Sequence, residues 1–183
     1  MKEILDFTDL QSNFGCLGVR LHDLEGRFLP ESKRSVPSVY NSFEKLFTPF
    51  SSKKKSKKGY YRNHIAETDI AEVDVITGAF LLMKRNLYLE INGLDETYFM
   101  YGEDIDLCYT LIRKGYKNWY FGKSSVLHIK GESTVKDKKY LENFYGAMQI
   151  FIRKYYKKQN PIQYLFLKLG LKVRHFIAKL QLK

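Results

Sequence analysis

Apolar positions along this chain recur with two different periods, and their alternation predicts a mixed α/β fold. Residues 14–21 form a near-continuous apolar run and predict a buried strand. Residues 22–26 supply a turn and residues 27–29 a return strand. Residues 30–37 read as a loop bearing Lys33 and Arg34, and residues 40–47 as a short helix that stops before Pro49. Residues 71–83 predict paired strand or strand–bend segments, broken at Gly78-Ala79. Small residues of that kind mark a bulge or a close approach to the backbone.

The second half of the chain is more helical. Residues 86–91 predict a short helix with Asn92-Gly93 as its stop. Residues 103–114 predict another, with Ile105, Cys108, Leu111 and Ile112 on its apolar face. Arg113 and Lys114 fall in its last turn and Gly115 follows, as the helix dipole and a C-terminal stop require. Residues 117–121 and 125–129 predict two strands, and residues 138–156 a longer helix. After Asn160-Pro161 a final helix carries Ile162, Leu165, Phe166, Leu169, Val173, Phe176, Ile177 and Leu180 at helical spacing, with Lys168, Lys172, Arg174 and Lys179 beside them. A basic amphipathic helix of this kind lies in a membrane interface or packs on its own domain, and periodicity leaves both open.

The bulk numbers narrow the class. At 183 residues, 44% hydrophobic and 15% aromatic, the chain suits a domain with a real core rather than a disordered segment. Lys and Arg outnumber Asp and Glu, 31 to 20, so the surface is basic and favours anionic partners such as lipid heads or diphosphates. Nucleic acid is not expected, because no recognition motif accompanies the charge. Cys16 and Cys108 form no disulfide framework and no zinc spacing, and both sit among apolar residues as expected of buried thiols. No signal peptide is expected from the acidic, mixed first residues, and no apolar run is long enough to span a bilayer. The lysine-rich stretch at about 51–59 is expected to be a mobile loop, either a solvated linker or a docking patch for anionic lipid or a phosphate-bearing substrate.

Against this basic background, residues 93–107 concentrate carboxylates: Asp95, Glu96, Glu103, Asp104 and Asp106. Glu103 and Asp104 stand at the predicted helix start, where the dipole and unpaired N–H groups favour negative charge. A helix cap explains that much. The apolar approach Tyr98-Phe99-Met100-Tyr101-Gly102 adds something a cap does not need, since a carboxylate dehydrated by aromatic surface is a better base. Asp106 diverges from Asp104 on a helix, so one can face a site while the other ties down a neighbour. His128, at a predicted strand end before Gly131, is either a core histidine or a metal ligand.

These residues together resemble family 2 glycosyltransferases. The resemblance rests on residues 78–85, on Asn92-Gly93-Leu94-Asp95-Glu96, on Phe99-Met100-Tyr101-Gly102-Glu103-Asp104-Ile105-Asp106-Leu107-Cys108, on Gly115-Tyr116 and on residues 128–133. Residues 18–26 and 32–37 fit the same order, which extends over residues 14–156. The nearest likeness is to bacterial rhamnosyltransferase-like members that build cell-surface polysaccharide.

The resemblance implies a GT-A fold, a Rossmann-like mixed sheet with flanking helices, acting on a nucleotide-sugar donor with a divalent cation, Mn2+ or Mg2+. It implies inversion at the anomeric carbon, with Asp104 as base beside Glu103 and with His128 as a metal ligand. Gly78 and Ala79 map onto the strand bordering donor and acceptor. Tyr101, Asp106 and Lys130 are further candidate substrate contacts. The acceptor is expected to be a saccharide or lipid-linked saccharide, and the location cytoplasmic, peripheral at the inner face of the cell membrane. Family members begin with a nucleotide-binding half that ends in an Asp-x-Asp motif, and none precedes Gly18. The chain is therefore expected to be the acceptor-side portion, 1–156, followed by a basic helical segment, 157–183. The competing readings are a non-catalytic basic module for membrane or polysaccharide, and a metal-dependent phosphoesterase using Glu103, Asp104, Asp106 and His128.

Overall fold

A computed structural model of the chain describes residues 1–36, 59–129 and 137–182. The predicted helix at 40–47, the lysine run 53–58 and Lys130 lie outside the described residues. The described residues fall into two compact units, one of residues 1–36, 59–95 and 104–129, the other of residues 96–103 and 137–182.

The first unit is α/β, built on a mixed four-stranded sheet in the order β2-β4-β1-β3. Its strands are β1 (Phe14–His22), β2 (Ile70–Val73), β3 (Leu82–Met83) and β4 (Lys117–Leu127). β1 and β4 run parallel, from Phe14 opposite Lys117 to His22 opposite Leu127, while β2 on β4 and β3 on β1 are antiparallel. The unbroken apolar run of β1 follows from cover on both faces. On one face lies α1 (Lys2–Leu10), whose Ile4 joins Phe14, Leu17, Val19 and Phe121 in a buried cluster. Phe7 of α1 meets Trp119 edge to face at 5.3 Å. The other face is covered by α3 (Glu103–Arg113), whose Cys108 touches Cys16, and by Ile76. Ile76 fits only because position 18 is glycine: a Cβ there would come within 2.9 Å of its own Cβ. A short helix, α2 (Arg85–Glu90), ends at Asn92 and Gly93, both with positive φ.

Two strand expectations change in this frame. The predicted strands at 117–121 and 125–129 are one strand, β4, with Gly122, Lys123 and Ser124 looped out between the Val19–Phe121 and Arg20–Ser125 pairs. The backbone before β2 forces the bulge: Gly122 N–H donates to Asp69 O at 2.8 Å, and a Cβ on Gly122 would collide with the carbonyl oxygens of Glu67 and Asp69. The return strand at 27–29 shrinks to a single bridge between His22 and Phe28. Pro30 starts a tight helical turn there, and Ser32 Oγ accepts the Leu21 N–H at 3.0 Å that a longer strand would have bonded.

The second unit is a helical pair, α4 (Lys138–Tyr156) and α5 (Pro161–Gln181). Both are capped as side-chain chemistry predicts: Asp137 accepts from Tyr140 N at 2.7 Å, and Asn160 from Gln163 N at 3.0 Å. Pro161 takes the first-turn position that tolerates a missing N–H. The Tyr145 ring of α4 stacks on His175 of α5 at 4.6 Å, and its hydroxyl donates to Arg174 O at 3.3 Å. Residues 96–103 pack on α4, with the Tyr101 ring edge-on to Tyr140 at 5.4 Å. Among the described residues no helix is long and apolar enough to cross a membrane.

Candidate active site

The local sequence around α3 dictates where its acidic start points. Gly115 (φ 88) closes the helix, its N–H bonded to Ile112 O and the Tyr116 N–H to Leu111 O, so the chain reverses directly into β4. Cys108, halfway along, lies beside Cys16 and below Asn118, whose Nδ2 donates to the Cys108 carbonyl at 3.0 Å. Both partners are at the amino ends of β1 and β4. One turn nearer the helix start, Asp104 lies beside Gly78. The start of α3 therefore points toward the carboxyl ends of the parallel pair, the side on which open α/β sheets bind ligands.

Asp104 is held by three donors. Oδ2 accepts from Arg34 Nη2 at 2.6 Å and from Gly78 N at 3.2 Å, and Oδ1 accepts from Ile105 N at 2.7 Å. The two side chains of the ion pair are only 11% (Arg34) and 13% (Asp104) exposed. Arg34 is fixed in turn: its Nη2 donates to Ile76 O at 2.8 Å and its backbone bridges Val75 in both directions. Burial opposes the charge on Arg34, but the Asp104 carboxylate, helped by Tyr60, outweighs it and raises the guanidinium pKa. The Nε of Arg34 is buried without a hydrogen-bond partner among the described residues.

Within its own unit the Asp104 carboxylate meets a guanidinium and two backbone amides. The aromatic residues Tyr98 and Tyr101 belong to the second unit, as does Glu103. Tyr101 has a left-handed backbone (φ 68), followed by Gly102 (φ 89). For a bulky residue that conformation costs about 1 kcal/mol or more, and such strain clusters at functional turns. Gly78 and Ala79 are exposed and form a turn between β2 and β3, at the break their small size predicts, where the family resemblance implied a strand. Asp106 is buried at 3% exposure. His128 follows β4, half-buried, its N–H bonded to His22 O at 2.9 Å.

The structure thus brings together Asp104 and Gly78 and adds Arg34, which sequence reading placed only in a loop. Nothing local could have paired positions 70 residues apart. A second feature that sequence reading missed is a cavity of about 250 Å3 lined by Arg20, His22, Gly26, Phe28, Glu67 and Ser125, at the carboxyl ends of β1 and β4. Beneath its Phe28 wall, Lys33 is buried, its Nζ 5.1 Å from the ring centre. Burial pushes that amine below the ordinary lysine value, with Glu67 and Asp69 partly opposing. Among the described residues no three His, Cys, Asp or Glu side chains converge as a cation site.

No protein-family model matches the chain. It is similar to rhamnosyltransferases of known name. The N-acetylglucosaminyl-diphospho-decaprenol L-rhamnosyltransferases of two Mycobacterium tuberculosis strains, CDC 1551 / Oshkosh and ATCC 25618 / H37Rv, are each 28% identical to it over 134 residues, which is 73% of this chain and 43% of theirs. Rhamnosyltransferase WbbL of Escherichia coli K12 is 39% identical over 108 residues, 59% of this chain and 36% of the relative. The matched part of the chain spans under half the length of each of these relatives.

Proposed function

We propose that this chain is the acceptor-side portion of an inverting, GT-A-type family 2 glycosyltransferase. It moves L-rhamnose, or a closely related sugar, from a nucleotide-activated donor to a lipid-linked saccharide in cell-surface polysaccharide synthesis. The observation that carries the reading is the similarity to rhamnosyltransferases over 73% of the chain. The acceptor in the name of the mycobacterial relatives, N-acetylglucosaminyl-diphospho-decaprenol, supports the acceptor class.

In this proposal Asp104 takes the proton of the attacking acceptor hydroxyl. A carboxylate offers about four acceptor directions. Among the described residues, Oδ2 uses two and Oδ1 one, so Oδ1 keeps a direction for the incoming O–H. Arg34 offsets the cost of holding that charge out of water and fixes the side chain in one orientation. After the transfer the proton passes on to solvent or to product. Exposed Gly78 and Ala79 border the acceptor. Asp106, at 3% exposure, is given no direct contact with substrate in this reading. A divalent cation, when bound, would offset charge on the departing nucleoside diphosphate. His128 is its proposed ligand in this chain; the described residues do not complete a site for it, and no step above passes through it.

The test is Asp104→Asn in the protein carrying this chain, assayed for transfer from nucleotide-activated L-rhamnose to N-acetylglucosaminyl diphospho-polyprenol. Turnover is expected to fall roughly 10²–10⁴-fold, the range of a lost general base. Near-normal turnover would remove Asp104 from the chemistry. A second reading, a non-catalytic basic module, is favoured by one observation: all three hydrogen bonds of Asp104 are structural ties. It predicts no transfer at all and acceptor or membrane binding indifferent to position 104.

A further inference from the structure

The final helix has two apolar faces, and among the described residues of the second unit only one is used. An α-helix advances about 100° per residue, which places Leu167, Leu171 and Ala178 on one side. That side meets α4: Leu167 is buried at 7% exposure, and His175 beside it stacks on Tyr145. Ile162, Leu165, Phe166, Leu169, Phe176 and Leu180 fall in a sector about 120° wide on the opposite side. Each of these six is between 59% and 71% exposed. Over the 18 steps between Ile162 and Leu180 the stripe runs for about 27 Å at 1.5 Å per residue.

Exposed large apolar side chains in a continuous stripe call for a partner. The charges beside the stripe say which. Lys168, Lys172 and Lys179 line one flank and Arg174 the other, and the helix holds no aspartate or glutamate. A second copy of this helix would bring lysine against lysine with no acid to pair, which penalises self-association. An anionic lipid surface offers both an apolar layer for the stripe and negative heads for the flanks. The helix is too polar to cross a membrane. We propose that α5 lies in the plane of an anionic bilayer, its Leu165–Phe166–Leu169–Phe176 stripe in the acyl boundary and its lysines at the head groups, while its opposite face stays docked on α4. This stands independently of the glycosyltransferase reading, because it is measured without donor or acceptor.

The test is co-sedimentation of the full chain with vesicles of phosphatidylcholine alone and of phosphatidylcholine with phosphatidylglycerol. Binding is expected to the anionic vesicles, to weaken as salt rises from about 0.1 M to about 1 M, and to exceed binding to neutral ones. Phe166→Ser with Phe176→Ser is expected to lower the partition coefficient by roughly a hundredfold, since each lost ring is worth about tenfold. Both positions face away from α4, so circular dichroism and thermal unfolding should match the parent. Lys168→Glu with Lys172→Glu should abolish the preference for anionic vesicles. Three results overturn the proposal: no binding of the folded parent to anionic vesicles, equal binding by the Phe166/Phe176 variant, or a concentration-dependent dimer that this variant dissolves.

Discussion

Replacing Arg34 by methionine removes the guanidinium while keeping most of the stem, and the structure sets the size of the effect. Arg34 Nη2 and Asp104 Oδ2 are 2.6 Å apart, with both side chains less than one-seventh exposed. Two unit charges with centres about 4 Å apart interact by about 4 kcal/mol at an effective dielectric constant near 20. Much of that attraction only offsets the desolvation of the pair. The loss on breaking it is nevertheless about 3–5 kcal/mol, because the surviving carboxylate stays buried without its counter-charge. Arg34→Met also leaves the Ile76 carbonyl without its 2.8 Å donor. Urea unfolding followed by Trp119 fluorescence reports on the first unit, since Trp119 packs against Phe7 in its core. In a double-mutant cycle with Asp104→Asn, removing both charges is expected to cost about 2 kcal/mol less than the sum of the single losses. Additive losses, or a loss below about 1 kcal/mol for Arg34→Met, would show the pair to be screened like a surface ion pair and would refute the reasoning.

Two further outcomes test other parts of the fold. Gly122→Ala should destabilise the first unit by roughly 1–3 kcal/mol, because the new methyl meets backbone oxygens that cannot swing aside; a urea midpoint equal to the parent's would mean that the bulge moves freely. His175 has its proton affinity lowered by burial first and by Lys179 second, with Glu142 partly opposing, and its ring lies on Tyr145. The unfolded state then binds more protons between the folded value and the ordinary 6.5, so pairing of α4 with α5 is complete above that value and weakens as pH falls below it. Protection factors of the α5 amides, referred to the intrinsic exchange rate at each pH, should fall on acidification through this window, and His175→Phe should remove most of that response; an unchanged response in the variant would assign it elsewhere.

What could be read from the sequence was what local chemistry decides. α3, α4 and α5 carry a 3.6-residue apolar period together with their own punctuation, Gly115 for the first, Asp137 and Asn160-Pro161 for the others. β1 announces itself by an apolar run that only a doubly covered strand needs. The unread features depend on partners distant in the chain. α1 has no side-chain cap, and its place is set by Ile4 and Phe7 packing on β1 and β4. The bulge in β4 is imposed by the carbonyls of residues 67 and 69. Lys33 reads as a loop charge, yet it is buried with its Nζ 3.2 Å from Arg62 O. The start of α3 shows the limit most clearly. Glu103-Asp104 identifies a carboxylate at a helix N-terminus, but the guanidinium that faces Asp104 comes from a loop 70 residues away.

That guanidinium makes stability and chemistry separable at Asp104. Asp104→Asn alone leaves Arg34 buried without its counter-charge, so a fall in turnover could come from a loosened site as well as from a lost base. The variant lacking both charges distinguishes the two. Arg34→Met with Asp104→Asn no longer buries an unpaired ion, so it should regain a large part of the stability lost by either single change. If Asp104 only tethers the 76–79 turn and the Arg34 loop to the start of α3, turnover should recover along with stability. If Asp104 receives the acceptor proton, stability should recover while turnover stays low, because an amide cannot take that proton. Recovery of both would leave Asp104 a structural tie and would move the search for a base to another carboxylate of the chain.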